Sequence, residues 1–352
     1  MAVKKDVKKD VKNDLEQLKK DLKSGDLRSL YFMYGEESYL KEYYLNSCKE
    51  QLIGDSPFAD FNLFEFDKDV PLEQLRDAVD SYPAMAERKL VIVRDYDPFK
   101  ATGAAAEFLL ELFVNLPDYL CLVFYYDTIE FKPDKRTKLY TAAKKSAQFV
   151  EYTHLDERQL IDWIKRRFRS LGKYIEAETC QYMIFLCGNS MTNLITEIEK
   201  AASFSTVDTI SEYHINSVCS PVMDAVIFDL TDAITENQYG KAISLITNLL
   251  VQKNNEVSIF TTIFKHIQRL YLAKLNQINR GGEQELLALI GTSSSYFARK
   301  ISVSAQKLPI QWLRDALLLC AVTDSELRDS NISDRQKAIE LTLLEMSVTR
   351  RN

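Results

Sequence analysis

Apolar positions along this chain change their period twice. Val3, Val7 and Val11 recur every four residues and Leu15, Leu18 and Leu22 continue the stripe, which predicts an amphipathic helix over residues 1–23. Its lysines, from Lys4 to Lys23, alternate with Asp and Glu, so a solvated surface helix is favoured over a basic arm for membrane or DNA. From residue 29 to about 152, short apolar runs alternate with helical patterns. Strands are expected at 30–34, 61–66, 90–93, 120–125 and 147–150. Several are nearly continuous in apolar residues, the pattern of parallel strands covered on both faces. Helical spacing fills the gaps at 39–52, 72–81, 104–115 and 135–145, and this alternation predicts an α/β sheet.

After Tyr152 the strands are expected to stop. Asp156 with Gln159 three residues on predicts a capping box, opening a helix through Ile161, Trp163, Ile164 and Phe168. Helices follow at 176–187 and 191–203. A longer helical block is expected from Pro221, taken as a first helical position, through Phe228 and then at 243–250, 259–276, 284–290, 310–327 and 333–348. The pattern divides the chain into an α/β domain at 1–152, a small helical module at 153–219 and a helical bundle at 220–352.

Composition narrows the class. The chain has 352 residues, 46% hydrophobic and 27% charged, with only 10 Gly and 8 Pro, which excludes a disordered or collagen-like chain. The apolar run 119–126 is far too short to span a bilayer, and the start lacks the apolar core of a secretory signal, so a cytoplasmic protein without membrane contact is expected. Six scattered cysteines (Cys48, Cys121, Cys180, Cys187, Cys219, Cys320) form no CxxC pair, and His154, His214 and His266 lie far apart; buried reduced thiols are favoured over a metal site. The net charge of −6 means that any contact with nucleic acid must be a local patch.

The first expected strand ends in Tyr34-Gly35-Glu36-Glu37-Ser38-Tyr39-Leu40-Lys41-Glu42. A phosphate loop at this place reads G-x-x-x-x-G-K-[ST], and Gly35 and Lys41 fall in its register. Leu40 stands where the second glycine belongs, and Glu42 where the magnesium-binding hydroxyl belongs. A Cβ-bearing residue obstructs the approach of backbone to phosphate, and the carboxylates add like charge. At the end of the third strand Arg94 precedes Asp95, where a magnesium-binding acid would be needed. A plain strand-end cation explains Arg94 equally well. These departures predict a nucleotide-binding architecture without nucleotide chemistry.

Four stretches then resemble the delta subunit family of the bacterial DNA polymerase III clamp loader: Tyr34 to Leu40, Gly188-Asn189-Ser190-Met191-Thr192-Asn193-Leu194-Ile195-Thr196-Glu197-Ile198-Glu199-Lys200, Phe228-Asp229-Leu230-Thr231-Asp232-Ala233-Ile234, and Thr323-Asp324-Ser325-Glu326-Leu327-Arg328. The resemblance implies an AAA+-like α/β domain without ATPase activity, a helical lid and a helical collar that joins other loader subunits in a ring. It implies no cofactor and no catalysis of its own, only an accessory part in a DNA-directed DNA polymerase. The α/β domain of such a subunit binds the sliding clamp and opens it for loading on primed DNA.

The family's clamp-contacting element precedes the third strand and carries a bulky apolar pair. Matching Arg88 to its basic residue places Pro83, Ala84 and Met85 at the contact; Ala84 is small, and Met85 replaces a ring but fills apolar pockets well. The alternative is Met85 as a core residue under the sheet. Lys165, Arg166, Arg167 and Arg169, with Lys173 nearby, form the densest basic cluster, readable as a DNA contact or as a solvated helix face beside Asp156, Glu157 and Asp162. Two rival functions remain at this stage: an active NTPase using Gly35 and Lys41, and a scaffold that oligomerises but ignores the clamp.

Overall fold

The computed structural model describes residues 3–236, 238–251, 255–328 and 334–348, with side chains described from residue 14 onward. Contacts divide the chain into two compact units, 1–154 and 155–352.

The first unit opens with helix α1 (Val3–Ser24), then alternates strand and helix: β1 (Leu30–Tyr34), α2 (Ser38–Leu52), the single-turn α3 (Ala59–Asn62), β2 (Leu63–Phe66), α4 (Leu72–Asp80), β3 (Lys89–Arg94), α5 (Gly103–Val114), β4 (Leu120–Tyr125), α6 (Lys138–Ser146) and β5 (Gln148–Glu151). The five strands pair in parallel in the order β2-β3-β4-β1-β5. Side chains on a strand alternate between faces, so each central strand feeds two cores. Leu30, Phe32, Val91, Val93, Leu122 and Phe124 pack against α4, α5 and α6, where Phe32 stacks between Phe124 and Phe149 at 5.1 and 4.7 Å. Tyr31, Met33, Leu90, Ile92, Cys121 and Val123 face the opposite way, onto Leu18, Leu45 and Cys48 of α1 and α2. Leu15 and Leu22 join that side, so the inner half of the predicted N-terminal stripe is core; the side chains of Val3, Val7 and Val11 lie outside the described residues.

The expected strand at 61–66 begins two residues late, because Phe61 and Asn62 belong to α3. The expected helix at 135–145 begins at Lys138, where Thr137 caps it by accepting from the Tyr140 amide at 3.2 Å.

The second unit opens with α7 (Glu157–Ser170). The capping box forms as expected, the Gln159 amide donating to Asp156 Oδ1 at 2.8 Å and the Asp156 amide to Gln159 Oε1 at 3.1 Å. Strands do not stop at Tyr152: β6 (Tyr174–Ile175) pairs in parallel with β7 (Thr209–Ile210) around α8 (Ala177–Cys187) and α9 (Met191–Phe204). Two-residue strands leave no alternation to read. Then come α10 (Glu212–Val218), α11 (Met223–Thr235), α12 (Tyr239–Val251), α13 (Glu256–Ile278), α14 (Glu283–Ile290), α15 (Ser295–Gln306), α16 (Ile310–Leu327) and α17 (Arg335–Val348). Pro221 is not the first helical residue; α11 starts at Met223, with Val222 as its cap. A single apolar cluster from Ile227 to Met346 holds α11 to α17 together. Trp312 Nε1 donates to the Met346 carbonyl at 2.8 Å, and the Thr323 and Thr342 hydroxyls pair at 2.7 Å inside it. No helix among the described residues is long and apolar enough to cross a membrane.

Candidate functional site

At the carboxyl ends of β1 and β4, where an open α/β sheet usually receives a ligand, the polar groups have already found internal partners. Gly35 has φ +119°, and a Cβ there would lie 2.7 Å from the Tyr152 nitrogen, so the position requires glycine. The Tyr152 amide donates to the Tyr34 carbonyl at 2.8 Å and the Glu37 amide to the Tyr152 carbonyl at 3.0 Å. Helix α2 begins at Ser38, only three residues after Gly35, which leaves no wide loop of free amides. The anion-favouring start of the helix is taken by the buried Glu37, whose Oε1 accepts from the Tyr39 amide at 3.3 Å and whose Oε2 meets His154 Nδ1 at 3.1 Å.

Lys41 points inward. It is 1% exposed and donates to the Tyr126 carbonyl at 2.8 Å, with Asp127 Oδ1 at 3.6 Å and the Tyr125 ring 5.4 Å from its Nζ. Leu40 packs on the α1–α2 core. Glu42 pairs with Arg94 at 3.4 Å, and that guanidinium also lies over the Tyr125 ring. Arg94 is thus a partner in the sheet rather than a bare surface cation. Asp95, at φ +54°, accepts from the Asp127, Thr128 and Ile129 amides and from the Thr128 hydroxyl. Burial pushes its carboxyl up, but these donors outweigh it and hold the pKa below the usual carboxylate range. The acid at the third strand is employed in fixing the 127–129 turn.

The opposite, amino-terminal edge of the sheet carries the loop 81–88. Met85 is 84% exposed and Tyr82 82% exposed, with Pro83 and Ala84 half-buried. The core alternative for Met85 is therefore wrong: the loop leaves the sheet edge before β3 starts. Met85 sits at φ +49°, a region that costs an ordinary side chain ~1 kcal/mol.

Three ties hold the loop in that shape. Buried Asn62 donates to the Ala84 carbonyl at 2.9 Å and accepts from the Ala84 amide at 2.8 Å. Lys89 Nζ donates to the Ser81 carbonyl and, at 3.0 Å, to its hydroxyl, while lying near the Phe64 and Tyr119 rings. Burial pushes the Lys89 ammonium down to about 8. Arg88 reaches under the loop to the carbonyls of Leu27, Arg28 and Leu120. Sequence reading missed Phe58 and Phe61, which stay 37% and 65% exposed on and beside the turn that Asn62 ties to Ala84. Phe61 was hidden by its placement in the expected strand at 61–66, and Phe58 lay outside every expected element.

The basic cluster on α7 splits. Arg167 pairs with Glu199 at 2.8 Å, and Lys173 donates to the Ser205 and Val207 carbonyls, so both serve the fold. Arg166 and Arg169 are exposed and Lys165 is half-buried. All six cysteines are buried and unbridged. Spacing also hid one trio: Cys187, Glu197 and Cys219 bring donor atoms within 4.8 Å of one another. Glu197 is already engaged there by Lys200 at 2.6 Å and by the Ser220 amide at 3.1 Å.

Known proteins resemble this chain in sequence and in fold. The family described as DNA polymerase III, delta subunit matches residues 31–153, and the one described as DNA polymerase III delta subunit, C-terminal domain matches residues 224–346. The DNA polymerase III subunit delta of Bacillus subtilis is 25% identical over 336 residues, 93% of this chain and 95% of that protein. A probable DNA polymerase III subunit delta of Aquifex aeolicus is 19% identical over 77% of this chain and 78% of its own. The solved Bacillus subtilis DNA clamp loader delta protein superposes with a TM-score of 0.56 and 22% identity, over 94% of this chain and 99% of that one, and this likeness speaks for the fold: AAA+-like α/β followed by all-α. With family matches that together take in more than two thirds of its length, the chain belongs to the DNA polymerase III delta-subunit family.

Proposed function

We propose that this chain is the clamp-opening subunit of a clamp loader, which binds the sliding clamp through the loop 81–88 and hydrolyses no ATP. One observation carries the reading. Met85 is held out to solvent at 84% exposure in a left-handed conformation, on a loop whose backbone is tied by the buried Asn62 and by Lys89. Exposed strain of this kind persists only where surrounding structure enforces it. A pre-shaped apolar anchor also loses little freedom on binding. Met85 is the anchor in this proposal, Pro83 and Ala84 set its approach, Phe58 and Phe61 extend the apolar surface, and Arg88 acts as a positioning residue.

The subunit works without bond chemistry. Binding the open form of the clamp more tightly than the closed form shifts the clamp's own equilibrium, by no more than the difference in affinity. The absence of ATP hydrolysis is supported by the fate of Gly35, Leu40, Lys41 and Glu42, all committed to internal contacts. The module at 153–219 serves as a lid and the bundle at 220–352 as the collar that meets other loader subunits in the cytoplasm. Both assignments rest on the family.

Interferometry with the sliding clamp of the same organism tests the reading. The wild-type chain is expected to bind, and Met85→Asp to weaken binding by about 30-fold or more, the scale of an interface hot spot. Wild-type binding that survives the substitution moves the anchor elsewhere; no wild-type binding leaves the scaffold reading.

A further inference from the structure

Positive charge is concentrated in one place that the clamp-opening reading does not use. Between residues 132 and 145 the chain has six cations and a single acid, a formal +5, although its overall balance is −6. Lys132, Lys135, Arg136, Lys138, Lys144 and Lys145 are all exposed. Lys132 pairs with Glu130 and Arg136 with Asp134. The other four lysines make no ion pair among the described residues.

They do not form a plain solvated helix face. Lys135, Lys144 and Lys145 border a hollow of about 500 Å³ whose wall is completed by Tyr140 and Thr141. A second hollow shares Thr141 and Lys145 and adds Lys138 on the other side of the ridge. The inner face of α6 is fixed by Leu139, Ala142 and Ala143 in the sheet core, so the basic side cannot turn away. We propose that this basic face of α6 binds the phosphate backbone of DNA. The nine residues of α6 rise about 13 Å, which spans roughly four phosphates of one strand of a duplex. Cations on a rigid helix beside a concave wall suit a regularly spaced polyanion, and no base-reading pattern accompanies them, so the contact is independent of sequence. An acidic protein surface has no such regular spacing to match.

Fluorescence anisotropy of a labelled primer–template DNA with the full chain, without clamp or other subunits, tests this independently of the clamp-opening reading. Gln substitutions at Lys144 and Lys145 keep helix propensity, and Lys135 is an exposed residue ahead of α6, so the triple variant leaves the fold intact, checked by an unchanged circular dichroism melt. The triple variant is expected to lose about 100-fold in affinity near physiological salt, and its log K against log salt slope to fall by about 2 to 3 between roughly 50 and 200 mM. The matched variant Lys165→Gln, Arg166→Gln, Arg169→Gln is expected to bind as wild type. The proposal is overturned if the α6 variant keeps wild-type affinity and slope, if the loss follows the α7 variant instead, or if the wild-type chain does not bind DNA. It is also overturned if the lysines retain polyglutamate but not DNA, which makes the surface one for an acidic protein.

Discussion

The two edges of the parallel sheet hold loops of opposite character. At the carboxyl edge, the loop after β1 has the outline of a phosphate cradle, yet three of its charged groups are engaged from within: Glu37 by the start of α2, Lys41 by the end of β4, Glu42 by Arg94. At the amino edge, the loop before β3 does the reverse. Its backbone is tied by buried polar residues, and it presents Met85 and Tyr82 outward, 84% and 82% exposed. A buried polar group without a partner costs far more than a net hydrogen bond contributes, so the buried polar groups at the carboxyl edge are met from within. An apolar side chain in water carries a smaller penalty and can stay exposed. Satisfaction thus marks the carboxyl edge, and exposure the amino edge.

The sharpest way to break this contrast is Gly35→Ala. The φ of +119° and the collision with the Tyr152 backbone predict a loss of about 3 kcal/mol or more, read by urea unfolding. A near-neutral result would mean that the loop after β1 is pliable. Lys89 gives the next effect. With its folded pKa near 8 against an ordinary 10.5, the unfolded chain binds the extra proton between those values, so stability rises with pH across that window and the penalty is fully present below it. Relative to Lys89→Met, the wild type is expected to gain up to about 1.4 kcal/mol per pH unit from pH 8 to 10.5, and a flat difference would place the ammonium in solvent.

Asn62→Ala removes both ties to Ala84 and is expected to cost ~2 kcal/mol while loosening clamp binding. A stability loss with unchanged clamp affinity would separate the loop's shape from its task. Smallest and opposite in sign is Met85→Gly. Relief of the left-handed strain is expected to raise stability by about 0.5 kcal/mol while clamp affinity falls, a split that a purely structural methionine would not produce.

How much of this could be read in advance follows from how local each signal is. The strands of the first unit were legible because continuous apolar runs such as 120–125 have few other uses. The departures from the phosphate-loop pattern were legible in Leu40 and Glu42, but not the inward turn of Lys41, which depends on a carbonyl 85 residues away. The exposure of Met85 turned on Asn62, 22 residues before Ala84, and Asn62 was itself misread as strand. Helix α15 went unseen because its buried stripe is Ala298, Ile301 and Ala305, too small and too sparse to stand out after Thr292, Ser293 and Ser294. The resemblance stretches are mostly packing and capping: Phe228 and Leu230 are core, Ser190 caps α9, and Thr323 is buried against Thr342.

Lys41 falls in the register of a phosphate-loop lysine, yet its buried ammonium serves as mortar between α2 and the end of β4. Replacing Leu40 by glycine would return a letter of the old pattern without freeing the lysine, and pulling the lysine out would orphan the Tyr126 carbonyl before any phosphate arrived to reward the change. Each single step back leads downhill in stability first. The filled loop therefore acts as a latch: opening it takes more than one substitution, because each change first loses a contact that braces α2 against the end of β4.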